Sequence, residues 1–195
     1  MKRQSRGFTL YELMIVLALA AAIIAIGVPN MRDFQRNNRL TVAANDSLGM
    51  VLSSRGEALR RQMTISMCPS ATPEADDAAC GEGSGWISFE DTNGDCVRDG
   101  AEELIGGVRI DTDVTVSKNS ECISFASTGF KRPVAGQPTT ARILYCDSRG
   151  NVARDVGATD STARGVEVLP TGRGSVVRDV AAIDSWGGDG GVACE

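Results

Sequence analysis

Arg6-Gly7-Phe8-Thr9-Leu10-Tyr11-Glu12 joins a short basic leader to an apolar run, Phe8 to Val28, whose single charged residue is Glu12. Lys2, Arg3 and Arg6 precede Gly7, and no basic residue falls inside the run. At about 1.5 Å of helical rise per residue the run reaches roughly 30 Å, the thickness of a bilayer's hydrocarbon core. Positive charge before the run predicts a cytoplasmic N-terminus and a translocated remainder. A secretory signal places its small-residue cleavage site after its apolar core, whereas Gly7 stands before this one. Cleavage at Gly7 would remove the charges and keep the helix.

A carboxylate in lipid costs a few kcal/mol even on lenient insertion scales, so Glu12 calls for a partner. A cut between Gly7 and Phe8 would create an α-amine at Phe8. The Glu12 of a neighbouring subunit, shifted along the helix axis, could meet that amine and favour staggered parallel packing. In these residues, Gly7-Phe8-Thr9-Leu10-Tyr11-Glu12-Leu13-Met14-Ile15-Val16-Leu17, the chain resembles the type IV pilin superfamily and its class III signal. The resemblance implies cleavage after Gly7 by prepilin peptidase, N-methylation of Phe8, and Glu12 as the assembly glutamate. Tyr11 departs mildly from the smaller or polar residue more common in that family.

Beyond the apolar run the composition suits one modest head domain. The 195 residues carry 20 basic and 25 acidic side chains, a formal net charge of -5, and loss of the leader makes the chain more acidic still. That balance does not favour nucleic acid or anionic lipid as partners. Histidine is absent, which removes His-based triads and the commonest zinc ligand. No C-x-x-C pair occurs among the six cysteines, and no compact constellation points to an enzyme. An even cysteine count in a translocated head suggests disulfides, Cys68, Cys80, Cys96, Cys122, Cys146 and Cys194 being the candidates, with their pairing open from the residues alone.

Pro29 follows the apolar run and is expected to kink the helix or loosen it locally before it resumes. From there to Met63, Ala44, Leu48, Val51, Leu52, Leu59 and Met63 form a stripe at helical spacing that should lie against the head. After Met63 short apolar segments alternate with Gly, Pro, Asn and Asp, the pattern of antiparallel strands. Expected strands are 64–68, 86–89, 103–105, 108–110, 114–116, 122–125, 143–145, 152–155, 166–169 and 176–178. Ser70 to Ser84 and Gly187 to Gly191 read as surface loops. A weak echo, Arg-Gly-x-Val-x-Arg-Asp-Val, at Arg149 to Val156 and Arg173 to Val180, is explained equally by two strand-turn units or by chance.

The head resembles, more narrowly, the minor pilins and pseudopilins of the H type. The matching pieces are Cys68-Pro69-Ser70, Cys80, Gly85-Trp86-Ile87-Ser88-Phe89, Asp91-Thr92-Asn93-Gly94-Asp95, Glu102-Glu103-Leu104-Ile105, Cys146-Asp147 and Thr171-Gly172-Arg173. This resemblance implies an α+β pilin fold: a long N-terminal helix, transmembrane then amphipathic, with an antiparallel β-sandwich head. The division is a leader at 1–7, a membrane and assembly helix at 8–28, an amphipathic helix at 29–63 and a periplasmic head at 64–195. It also implies the pairs Cys68–Cys80 and Cys146–Cys194, which leaves Cys96 and Cys122 as a third bridge. The implied place is the bacterial inner membrane, single-pass with the head periplasmic, and then the tip of a filament. The implied partners are other minor pilins, a major pilin or pseudopilins, prepilin peptidase and the inner-membrane assembly platform.

Two binding readings stand beside that structural one. Asp91, Asn93, Asp95, Val97, Asp99 and Glu102 occupy positions 1, 3, 5, 7, 9 and 12 of an EF-hand-like count, Val97 through its carbonyl, which makes calcium a candidate cofactor. Against it, Cys96 stands at position six where such loops want Gly, the flanks read as strands, and a turn-rich hairpin would show similar letters. DNA-uptake relatives use C-terminal arginines, and Arg149, Arg154, Arg164, Arg173 and Arg178 are the counterparts here. Five acids, Asp147, Asp155, Asp160, Glu167 and Asp179, offset them, and Ser175 stands where that pattern wants a second arginine after Arg173. Nucleic acid is therefore not an expected partner.

Overall fold

The computed structural model describes residues 9–194, apart from the side chains at positions 26, 29, 30, 189 and 190. Helix α1 spans Leu10–Arg61 and passes through Pro29 without interruption. Eight strands follow: β1 Ile65–Ser70, β2 Gly85–Glu90, β3 Leu104–Val108, β4 Thr115–Lys118, β5 Ile123–Phe125, β6 Ala141–Cys146, β7 Asp160–Val168 and β8 Gly174–Asp179. A second helix, α2, spans Val180–Gly190. The architecture is α+β, with two four-stranded antiparallel sheets in the orders β3-β2-β1-β5 and β4-β6-β7-β8. By compactness the chain forms two units, Met1–Asn38 and Arg39–Glu195, divided within α1.

In the second unit α1 buries Leu40, Ala43, Ala44, Ser47, Val51, Ser54 and Ala58, a stripe repeating every three or four residues. Of the expected face, Ala44 and Val51 are buried and Leu48 borders the core, whereas Leu52 and Leu59 are exposed. Small residues on the buried strip let the helix backbone approach the sheets. The two serines are not wasted, since Ser54 Oγ lies 2.7 Å from Ser88 Oγ and Ser47 Oγ hydrogen-bonds the Tyr145 hydroxyl. That hydroxyl also accepts from Trp86 Nε1 at 3.2 Å, so these buried hydroxyls and the indole N–H all have partners.

Alternation along the strands sorts side chains between layers. On β6, Ile143 and Tyr145 join the main core, which takes residues from α1 and both sheets, while Leu144 and Cys146 face a second cluster with Ile183 and Trp186 of α2. On β2, Trp86 enters the main core, while Ile87 and Phe89 meet Cys68 and Ala78 in a third cluster. Because both faces are covered, β1 is buried along its whole length.

Several expected elements change. The two short strands at 103–105 and 108–110 are one strand, β3. The expected strand at 152–155 does not form; a lone bridge between Ala153 and Ser161 takes its place, with Val152 and Arg154 exposed. The sequence echo therefore falls on a loop at 149–156 and on β8 with the start of α2 at 173–180. The loop expected at Gly187 to Gly191 is helical to Gly190 and ends at Gly191, whose φ of 67° is the left-handed stop a glycine provides. Helix α2 starts where the Asp179 side chain accepts from Ala182 N at 2.9 Å, an N-cap that outweighs the three glycines downstream. The stretch between β1 and β2, read as surface, buries Ala78 completely.

Candidate functional site

The candidate residues fall in two parts of the molecule: the start of α1 and the head. Gly7 and Phe8 lie outside the described residues. At Thr9 the chain enters α1 through a reciprocal cap. Glu12 N donates to Thr9 Oγ1 at 3.2 Å, while Thr9 N and Thr9 Oγ1 each donate to Glu12 Oε2 at 2.9 Å. This is the Ser/Thr-x-x-Glu capping box, which satisfies amide groups that a helix start leaves open. Thr9 was missed as a functional residue, although Thr9-Leu10-Tyr11-Glu12 spells the pattern. Within a single chain, Glu12 has a local partner.

Past this cap the apolar side chains of α1 face outward: Leu10, Met14, Leu17, Ile23, Met31 and Phe34 are all exposed. Among the described residues no helix is long and apolar enough to cross a membrane. The run from 8 to 28 includes position 8 and the side chain at 26, which fall outside them.

In the head, three disulfides join Cys68 to Cys80, Cys96 to Cys122 and Cys146 to Cys194, the same pairs the resemblance implies. Arg61, at the C-terminal end of α1, ties three carboxylates together: Glu57 at 2.8 Å, Glu90 at 2.5 Å and Glu103 at 2.8 Å. Hydrogen bonds donated to Glu103, Glu57 and Glu90 raise the Arg61 pKa further, and those that Glu57 accepts from Arg60 and Arg61 hold its carboxyl down to about 2. The network joins the helix end to β2 and to the residue before β3.

The β2–β3 loop holds the six calcium candidates. Asp91 is 1% exposed; its Oδ2 accepts from Ser66 Oγ at 2.5 Å and Cys96 N at 3.2 Å, with Arg132 Nη2 at 3.6 Å. Asn93 Oδ1 accepts from Asp95 N, and Asp95 Oδ1 from Val97 N. Asn93 Nδ2 lies 2.9 Å from Asp95 Oδ2 and 3.3 Å from Asp99 Oδ2. Glu102 folds back so that Oε1 accepts from Thr92 N and Oε2 from Asp99 N. Ser66 and Arg132, the partners that hold Asp91, are far away in sequence and carry no local signal.

The five arginines are not equivalent. Arg164 is 3% exposed, and its Nη1 donates to the carbonyls of Ser161, Thr162 and Ala163. Burial, then the neighbouring charges of Arg178 and Arg154, pull its pKa below the ordinary guanidinium value. Arg149 is paired with Asp147 at 2.6 Å. Arg154, Arg173 and Arg178 are exposed. Arg149, Arg154 and Arg178 thus gather around Arg164, but Asp160 sits among them, and Arg173 lies at the other end of β8, in the turn from β7. The acids are not segregated from the bases as an electropositive DNA surface requires.

Residues 43–172 match the family model described as type II transport protein GspH, and residues 2–28 match the prokaryotic N-terminal methylation motif. A fimbrial protein of Pseudomonas aeruginosa is 30% identical over 112 residues, covering 54% of this chain and 68% of that protein. Among solved structures, the type IV minor pilin FimU of Pseudomonas aeruginosa aligns at 18% identity with a TM-score of 0.47, covering 74% of this chain and 92% of that one. The minor pseudopilin EpsH of the Vibrio cholerae type 2 secretion system aligns at 6% identity with a TM-score of 0.46, covering 72% and 97%.

Proposed function

The chain belongs to the GspH family, whose members are structural pilins and pseudopilins and not enzymes, and from that premise we propose that it is a minor subunit of a type IV pilus that helps prime assembly and sits near the tip. The observation that carries the pilus reading is the fimbrial protein at 30% identity, of which the chain covers 68%. In this reading prepilin peptidase removes residues 1–7, Phe8 is methylated, and residues 8–28 hold the subunit in the inner membrane until the assembly platform moves it into the filament. Glu12 leaves its local cap at Thr9 and pairs with the Phe8 amine of a neighbour. The exposed apolar face of α1 becomes the contact with other subunits, and the disulfide-closed head meets other minor pilins.

Mass spectrometry of filaments sheared from the cell surface tests this reading. A chain beginning at methylated Phe8, at a low ratio to the dominant subunit, is the expected result. Recovery of the mature chain only in the cell envelope would overturn the pilus assignment. The family model's own description favours a second reading, a minor pseudopilin of a type II secretion filament. Deletion separates the two: loss of twitching belongs to the pilus, loss of exoprotein release to the secretion system.

A further inference from the structure

We propose that the β2–β3 loop, residues 91–102, binds one calcium ion. The proposal starts from an oxygen with nothing to do. Asp91 is buried; its Oδ2 holds Ser66 Oγ, Cys96 N and Arg132, while its Oδ1 is buried with no hydrogen-bond partner among the described residues. A buried carboxylate oxygen left without a donor is unfavourable, and hydrophobic burial would have been served better by an apolar residue. The bond from Cys96 N ties this carboxyl to the sixth residue of the loop, so the unpartnered oxygen belongs to a group the loop already holds.

The same loop carries a set of hard oxygen donors. Asn93, Asp95 and Asp99 converge, and the Asn93 amide nitrogen stands between the two carboxylates, a partial positive charge where a cation would sit. Among the described residues no three acidic side chains are yet gathered as a closed metal group. Withdrawal of that amide lets Asp95 and Asp99 close on an ion held by Asp91 Oδ1. Glu102 already reaches back over the loop's first residues, and the Val97 carbonyl supplies the seventh-position oxygen. Cys96, the sixth residue, has a φ of 66°, the left-handed turn such loops take there with glycine, and its bridge to Cys122 holds the residue in place.

Charge points the same way. Asp91, Asp95, Asp99 and Glu102 fall within one loop, with Arg132 and Arg98 as the cations touching it: Arg132 donates to the Gly94 carbonyl, and Arg98 Nε to the Glu102 carbonyl at 3.3 Å. The Arg132 guanidinium approaches Asp91 at Oδ2, and Oδ1 has no hydrogen-bond partner among the described residues. A mixed set of carboxylates, an amide and a carbonyl on one loop suits calcium, whose coordination is irregular and takes 6–8 oxygens; magnesium demands a near-ideal octahedron.

The full chain in detergent micelles, stripped with a calcium chelator, is titrated with calcium and separately with magnesium by calorimetry, and its thermal midpoint is read with each ion. One calcium per chain, at least about tenfold tighter than magnesium, with a raised midpoint, is the expected result. Asp95 and Asp99 are exposed, so the double variant Asp95→Asn, Asp99→Asn should keep its chelator-treated midpoint and lose calcium affinity by about tenfold or more. No calcium heat, no preference over magnesium, or unchanged affinity in the double variant would each overturn the proposal. None of these readouts depends on whether the chain enters a pilus or a secretion filament.

Discussion

The stretch of α1 from Leu10 to Phe34 and the head from Arg39 onward spend the same apolar residue types to opposite ends. In the first, Leu10 is 77% exposed, Ile23 71% and Phe34 66%; in the second, Trp86, Phe89, Phe125 and Tyr145 are all at 0%. The head completes its own core, its hydroxyl pairs and its disulfides. The first stretch completes only its start, through Thr9 and Glu12, and leaves its apolar surface for something else to cover. One continuous helix therefore carries a segment whose order is internal and a segment whose purpose is external, and a substitution should reveal which segment it struck by what it disturbs.

The largest effect should come from charge at the helix start. A capping box accepts Gln as well as Glu, so Glu12→Gln keeps the bond to Thr9 while deleting the carboxylate charge. Filament entry should be lost in Glu12→Gln, with processing at Gly7 intact, whereas Thr9→Ala should cost about 1 kcal/mol of local helix stability and still assemble. Normal assembly of Glu12→Gln, scored by its abundance in sheared filaments, would reduce Glu12 to a local cap and dissolve the contrast between the two segments.

Within the head, replacing both Cys146 and Cys194 by Ser should lower unfolding free energy by about 2–4 kcal/mol, because the bridge spans 48 residues and holds the chain beyond α2 to β6. Chemical denaturation in micelles reads this directly, and an equal midpoint for the variant and the oxidised parent would show that α2 packs without its staple. Next in size is Gly165→Val. A Cβ at Gly165 would stand 2.4 Å from the Trp186 ring, so α2 must shift, at about 1–3 kcal/mol, with the Trp186 emission moving toward that of a solvated indole. Neither head variant should impair processing.

The smallest effect concerns Glu57. Its folded pKa is lowered from 4.5 to about 2 by Arg60 and Arg61, so its contribution is fully present above about pH 4.5 and is lost as the pH falls through about 2. Glu57→Gln should flatten the acid limb of the thermal midpoint over that window. The residue keeps part of its side chain in contact with water, and solvent and salt screen the pair, so the change should be slight and should shrink further at high ionic strength.

Most of the fold was legible because its determinants are local. The apolar run, the change from helical spacing to alternation at Met63, and the turn residues between strands are each written in a short window. What was illegible depends on distance. The buried face of α1 was legible at Ala44 and Val51 but misread beside them, because Leu52 and Leu59 outrank Ser47 and Ser54 in hydrophobicity, yet Tyr145 and Ser88, supplied from far along the chain, are what make those serines core residues. Helix α2 hides behind glycines, and its N-cap, Asp179, reads as a turn residue until Ile183 and Trp186 are seen to share a face. At the β2–β3 loop the letters were plain, but Ser66 and Arg132, which hold one Asp91 oxygen while the other goes without a hydrogen-bond partner, come from far along the chain.

The three disulfides have an order in the chain: 68 with 80, then 96 with 122, then 146 with 194. No bridge encloses or crosses another, so each cysteine's partner is simply its neighbour in the cysteine series. A polypeptide threaded through a membrane one residue at a time would present them as consecutive couples, and each couple could be oxidised before the next emerged. An oxidant that joins thiols in order of appearance would then produce the native set directly, leaving little for an isomerase to correct. The head is laid out so that its covalent frame can be finished in the same direction in which the chain arrives.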